Sequence, residues 1–227
     1  MPNRSTLINQ YSTEVRYVTP PPIIDAARFV LGQIDVDIAS SEAANKVVGA
    51  RKFFTEPEYS DLNDPGYNLP LRTYWHKGGL EYIPDGDTVW LNRPFGSTQK
   101  ACTPGCKKTR CMKRGWHSST DLPGDKEWIS WLINNYKQGN ITAAMTITFA
   151  STSESWFQPF FDHMISFVSP RVSYLDENLK VLKGTPRGSC LIYLGNDHRH
   201  FTHAFDGKIG NSIYKGRVMF PANYFHG

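Results

Sequence analysis

At 227 residues, with 40% hydrophobic content and a net charge of +4, the chain is long enough for one compact domain with a buried core. No stretch approaches the roughly 20 consecutive apolar residues of a membrane helix, and the first residues lack the apolar block of a secretory signal, so a cytosolic protein without a membrane partner is expected. A charge bias this mild does not define a nucleic-acid binder, and only its placement along the chain can.

Residues 1–16 read as an N-terminal extension to a single domain over 17–227. Residues 21–32 (PPIIDAARFVLG) predict a helix opened by prolines and closed by Gly32. A short strand is expected over Gln33–Ile38, then a helix over Ser41–Ala50 capped by Ser40 or Ser41. Residues 55–79 carry Pro57, Pro65, Gly66, Pro70, Gly78 and Gly79, which predicts a long loop with little regular structure. Asp87–Asn92 predicts a buried strand that ends abruptly in Arg93-Pro94-Phe95-Gly96, and open α/β sheets place their ligands at such strand ends. Downstream, Lys126–Lys137 spaces Trp128, Trp131, Leu132 and Tyr136 as a core-facing helix stripe. Strands are expected at Ala143–Phe149, Met164–Val168, Val172–Leu175 and Cys190–Leu194, with a helix over Ser155–His163. This alternation predicts an α/β fold, a sheet with helices on both faces, interrupted by an insertion loop over 97–124.

That loop concentrates two features. Between Asp87 and Asp121 there is no acidic residue, whereas Arg93, Lys100, Lys107, Lys108, Arg110, Lys113 and Arg114 all fall inside. Such a run is either a solvated face or a surface for nucleic-acid phosphates. Three of the four cysteines, Cys102, Cys106 and Cys111, share the window and are followed by His117. Three thiolates and one imidazole make a complete tetrahedral set for zinc; the other reading is reduced, metal-free thiols.

Taken in order, Thr19-Pro20-Pro21 before a helix, Ile34-Asp35-Val36-Asp37-Ile38-Ala39-Ser40, and Val89-Trp90-Leu91-Asn92-Arg93-Pro94-Phe95-Gly96 resemble the phage-type DNA N-6-adenine methyltransferase family. Gly139-Asn140-Ile141, Thr152 to Phe157, Phe167 to Arg171 and Tyr193-Leu194-Gly195 extend the likeness, which covers roughly residues 17–210. The resemblance implies a Rossmann-like methyltransferase fold and methyl transfer from S-adenosylmethionine to an adenine amino group in double-stranded DNA, as in restriction–modification systems. It implies that the Asn92 side-chain oxygen and the Arg93 backbone carbonyl accept the two amino hydrogens, and that Pro94 and Phe95 complete the turn, with Phe95 stacking on a flipped base. Asp37 is implied to face the methionine ammonium of the cofactor, with Thr19, Pro20, Asp35 and Ala39 lining the same pocket. Lys107, Lys108, Arg110, Lys113 and Arg114 are then the expected contacts to the DNA backbone.

Two positions depart from the family pattern. Arg93 stands where the catalytic turn has its first proline, and Gly78-Gly79-Leu80 replaces Asp-Gly-Leu. Proline fixes φ near −65° and arginine does not, so the turn needs another source of rigidity, and the arginine is free to contact a phosphate or the orphaned base. Two other functions fit the same residues: a cytosine amino-methyltransferase, and a catalytically weak nucleic-acid-binding relative.

Overall fold

The computed structural model describes residues 17–55, 61–62, 66–72, 77–182, 185 and 187–221; the extension expected over 1–16 lies outside them. Helix α1 (Pro21–Leu31) starts on its prolines and stops where Gly32 adopts φ +73°. Strand β1 runs Val36–Ser40, three residues later than the sequence implies. Helix α2 (Glu42–Val48) is capped by Ser41, whose hydroxyl accepts from Ala44 N–H at 3.1 Å. Strand β2 (Lys52–Thr55) follows.

The stretch expected to be a long loop contains β3 (Asp61–Leu62), β4 (Leu71–Arg72) and the short helix α3 (Lys77–Glu81). Both strands are only two residues long, and β4 also pairs with His117–Ser118, some forty-six positions later, so no local pattern announces them. Gly79 approaches β1 so closely that a Cβ there would meet the Ile38 carbonyl oxygen at 2.0 Å. Strand β5 (Asp87–Leu91) leads into the insertion, which holds helix α4 (Thr109–Arg114) and strand β6 (His117–Ser118). Helix α5 (Asp125–Lys137), strand β7 (Ile141–Phe149), the 3-10 turn Gln158–Asp162 and strand β8 (Met164–Ser169) come next. Strand β9 (Ser189–Leu194), helix α6 (His198–Phe205) and strands β10 (Gly207–Lys208) and β11 (Lys215–Met219) complete the chain. The strand expected at Val172–Leu175 reduces to single bridges from Leu175 to Val18 and Val181, and the helix expected over Ser155–His163 to that 3-10 turn.

The eight strands of the main sheet stand in the order β10-β11-β8-β9-β7-β5-β1-β2. Neighbours from β2 through β1 and β5 to β7 are parallel, whereas β9 is antiparallel to both β7 and β8, between which it lies. Alternate side chains feed two cores. On one face Trp90, Met145, Ile147 and Tyr193 pack with α1, α2 and α6; on the other Val89, Leu91, Ala144 and Ile192 pack with α5 and the 3-10 turn. The expected α/β class, with helices on both faces, is what the chain forms.

Chain order and sheet order part company at β1. From β1 the chain crosses to β2 on one side, then returns to β5 on the other. Ligand crevices in open α/β sheets form at such a switch point, beyond the carboxyl ends of the strands.

Candidate active site and metal centre

The pairing of β1 with β5 ends at Asp37 opposite Trp90, two residues before Asn92. Asp37 on β1 and Asn92 after β5 therefore lie close to the same level of the sheet. Asp37 is 1% exposed. Burial pushes its carboxyl group up to about 7, and hydrogen bonds from the Ser40 side chain and the Ala39 N–H only partly oppose this. No lysine or arginine pairs with it among the described residues. Asp35, two residues earlier, is used differently. Its carboxylate accepts from Thr88 N–H at 3.0 Å and from the Thr88 hydroxyl at 2.8 Å, with Arg51 3.5 Å away. Asp35 thereby ties the residues that begin β1 and β5 to one another.

Asn92 follows the last residue of β5. Its amide nitrogen donates to the Tyr17 carbonyl oxygen and to Thr19 Oγ1 at 3.1 Å. A carbonyl oxygen can only accept, so the amide is held in one orientation, and its Oδ1 is buried with no hydrogen-bond partner among the described residues. Thr19 and Pro20, both buried, thus border Asn92 through the segment that leads into α1. Ala39 is half-buried on the far side of Asp37. Phe95 stacks on Phe149 with ring centres 4.3 Å apart and also meets Tyr17 at 5.9 Å.

Arg93 turns inward. Its side chain is fully buried, with Nη2 2.7 Å from Asp125 Oδ1 and donating to Thr148 Oγ1 at 2.9 Å. The contact with Asp125 is an ion pair buried on the arginine side. The guanidinium carbon lies 5.2 Å from the Phe95 ring centre and 4.9 Å from that of Trp156. Burial lowers the basicity of this group while Asp125 opposes the shift. A side chain so enclosed does not reach a phosphate or an orphaned base, which corrects that alternative from the sequence.

The Cys/His cluster assembles as its spacing implies. Ligand atoms of Cys102, Cys106, Cys111 and His117 all lie within 4.8 Å of one another, and all four residues are buried. Cys111 Sγ stands 3.6 Å from Cys102 Sγ and 4.0 Å from Cys106 Sγ, so none of these pairs is a disulfide. The backbone N–H of Lys108 draws the Cys106 thiol below its ordinary range. This cluster could hold a metal ion.

The insertion is less isolated than its sequence implies. Strand β4 pairs in parallel with β6, setting Leu71 opposite His117, and β3 pairs with β4. Gly105 N–H donates to Gly66 O at 2.9 Å, the Tyr67 hydroxyl donates to Cys102 O at 2.8 Å, and His117 Nε2 lies 3.1 Å from Asn68 Oδ1. Residues 66–72 and 99–122 therefore form one small unit. Lys107, Lys108, Arg110, Met112 and Lys113 are exposed on it, and Cys111 points inward from the same helix; Arg114 ends α4.

Sequence reasoning missed Asp125, Thr148, Tyr67 and Asn68. Asp125 carried a signal, an acidic residue opening a helix just after Gly124, but one that reads as a cap. Asn68 carried none, lying in a stretch whose partners are some fifty positions later.

No protein-family model, curated protein or solved structure matches the chain. What the site can do follows from its own chemistry.

Proposed function

We propose that the protein is an S-adenosylmethionine-dependent DNA methyltransferase on a Rossmann-like sheet, with the exocyclic amino group of adenine as acceptor. The observation that carries this reading is the orphaned, buried Oδ1 of Asn92, presented at the switch-point end of β5 by an amide nitrogen already committed to Tyr17 and Thr19. A buried acceptor without a donor costs about 1–3 kcal/mol, so its retention beside a crevice fits an incoming N–H.

Bound in the crevice, S-adenosylmethionine supplies an electrophilic methyl group. Asp37 is suited to its methionine ammonium, being a buried carboxyl group with no lysine or arginine beside it among the described residues, and Thr19, Pro20 and Ala39 are assigned to the same pocket. The amino lone pair of adenine is delocalised into the ring. Accepting its two hydrogens at Asn92 Oδ1 and at the Arg93 carbonyl would draw the nitrogen toward tetrahedral geometry and free that lone pair for in-line attack; as the N–C bond forms the methyl–sulfur bond breaks to leave a neutral thioether, and the surplus proton on nitrogen passes to water. Pro94 shapes the turn, and Phe95, backed by Phe149, offers an aromatic wall to a base swung out of the duplex.

Zinc is the metal proposed for the cluster. Tetrahedral ligands at about 2.3 Å from zinc stand about 3.8 Å apart, and the sulfur separations of 3.6 and 4.0 Å bracket that spacing. The Nε2 hydrogen bond to Asn68 would keep the proton there and leave Nδ1 of His117 as ligand. Lys107, Lys108, Arg110 and Lys113, exposed on the unit that zinc would hold, together with Arg114 at the end of α4, are the proposed contacts to double-stranded DNA.

Incubation with radiolabelled S-adenosylmethionine and unmodified DNA, followed by nucleoside analysis, tests the reading. Label in N6-methyladenine is expected. Label in N4-methylcytosine would move the acceptor to cytosine, and no transfer would leave a DNA-binding protein without this chemistry.

A further inference from the structure

The turn that carries Asn92 is Asn92-Arg93-Pro94-Phe95-Gly96, and one carboxylate grips both ends of its last four residues. Asp125 faces the Arg93 guanidinium at 2.7 Å through Oδ1 and accepts Gly96 N–H at 3.1 Å through Oδ2. The backbone repeats the link in the other direction, since Asp125 N–H donates to Gly96 O at 2.7 Å. One residue earlier, Gly124 leaves no room for a side chain: a Cβ there would meet Thr98 N at 2.3 Å and Gly96 O at 2.6 Å. One turn of helix later, Glu127 accepts from the Thr98 hydroxyl at 2.6 Å and from Gly124 N–H at 2.9 Å. The segment 93–98 is thus fastened to the start of α5 at Arg93, Gly96 and Thr98.

Arg93 supplies the inner half of this fastening. A buried guanidinium is costly unless paired, and here it is held by a carboxylate, by the Thr148 hydroxyl of β7 and between the rings of Phe95 and Trp156. The pairing spans three elements: the turn after β5, the start of α5 and the middle of the sheet at β7.

We propose that the buried Arg93–Asp125 ion pair is the positioning device that fixes the Asn92 turn, supplying through two side chains the rigidity that a proline at position 93 would supply through its ring. The inference rests on the methyltransferase reading for its catalytic consequence, but its structural content stands apart from it. Neither residue touches the acceptor base through its side chain. They act through the backbone: Arg93 sets the direction of its own carbonyl, and Asp125 closes the turn at Gly96.

The test uses paired variants, because Asp125→Asn alone leaves a buried arginine without its counter-charge and can unfold the chain. Arg93→Met with Asp125→Asn removes both charges at nearly constant volume. Arg93→Pro with Asp125→Asn removes both and restores the ring. Hydrogen exchange of backbone amides 95–98 and steady-state methyl transfer are measured on the full chain, with S-adenosylmethionine affinity as control. The methionine pair should exchange these amides roughly tenfold faster, with kcat down roughly tenfold to a hundredfold and cofactor affinity unchanged, the size of loss that small misplacement of a reacting group produces. The proline pair should recover most of both. Slow exchange and full turnover in the methionine pair would overturn the proposal, as would a proline pair no better than the methionine pair. If the unmodified protein transfers no methyl group, the functional reading fails, and amide exchange alone still decides whether the ion pair holds the turn.

Discussion

Asn92 and Asp37 are opposite solutions to burying a polar group. Among the described residues, Asn92 satisfies its donors internally and leaves one acceptor open, and Asp37 buries a carboxyl group with no lysine or arginine beside it. Asn92→Ala should abolish methyl transfer while S-adenosylmethionine affinity, measured by calorimetry, stays within a few fold, because the residue is assigned to the acceptor base. Retained turnover would remove it from the site. For Asp37 the expectations follow from linkage. A carboxyl whose folded pKa lies near 7, against an ordinary value of 3.8, favours the folded state at low pH and loses that contribution as pH rises through about 7. A shift of that size corresponds to at most about 4 kcal/mol, at 1.36 kcal/mol per unit. Asp37→Asn should therefore raise the melting temperature at pH 8 but not at pH 4. Cofactor binding works in the opposite sense: an ammonium favours the ionised carboxylate, so affinity should increase with pH up to about 7 and release protons on binding. Calorimetry in buffers of different ionisation enthalpy reads this directly, and pH-independent affinity would separate Asp37 from the cofactor.

At the scale of elements, the contrast is between segments that announce themselves and segments that need distant partners. Helix α1 was legible because prolines, an apolar stripe and Gly32 lie within a dozen residues, and α5 because Trp128 and Leu132 repeat on one face. Strand β5 and its turn were legible for the same local reason. Strands β3, β4 and β6 are two residues each and exist only through one another, so no period could reveal them. The Cys/His set was visible as a composition, yet its second wall, Tyr67 and Asn68, was hidden in a stretch of prolines and glycines. Arg93 read as a surface contact because arginine usually is one; its burial depends on Asp125, thirty-two positions later. If the cluster holds zinc, elemental analysis should give about one zinc per chain. Chelation or Cys106→Ser should then open residues 66–72 together with 99–122 to protease, since both segments share one unit, while the main sheet stays resistant. Protection of 66–72 after metal loss would show that the two segments do not depend on a metal.

For the whole molecule, the parallel strands carry the proposed chemistry and the small unit carries the charge. The segments that build that unit follow β2 and β5 in the chain, and Asn92 stands directly after β5. Reversing the charge at Lys107 and Lys108 should weaken DNA binding and reduce the slope of log affinity against log salt by about 2, at roughly 0.9 per phosphate contact. Affinity measured between low and moderate salt checks this, and an unaltered slope would make the basic surface a solvated face only. No helix among the described residues is long and apolar enough to cross a membrane.

Strand β9 also has a consequence for how the chain matures. It is made after both of its neighbours, yet it fills the space between them. During synthesis, β7 and β8 therefore wait with their facing edges unpaired until residue 194 has emerged, and unpaired edges of apolar strands invite pairing with other chains. A chain truncated at Gly188 should collect in aggregates, and a separate peptide spanning 189–221, supplied during refolding, should rescue its solubility by completing the sheet from within.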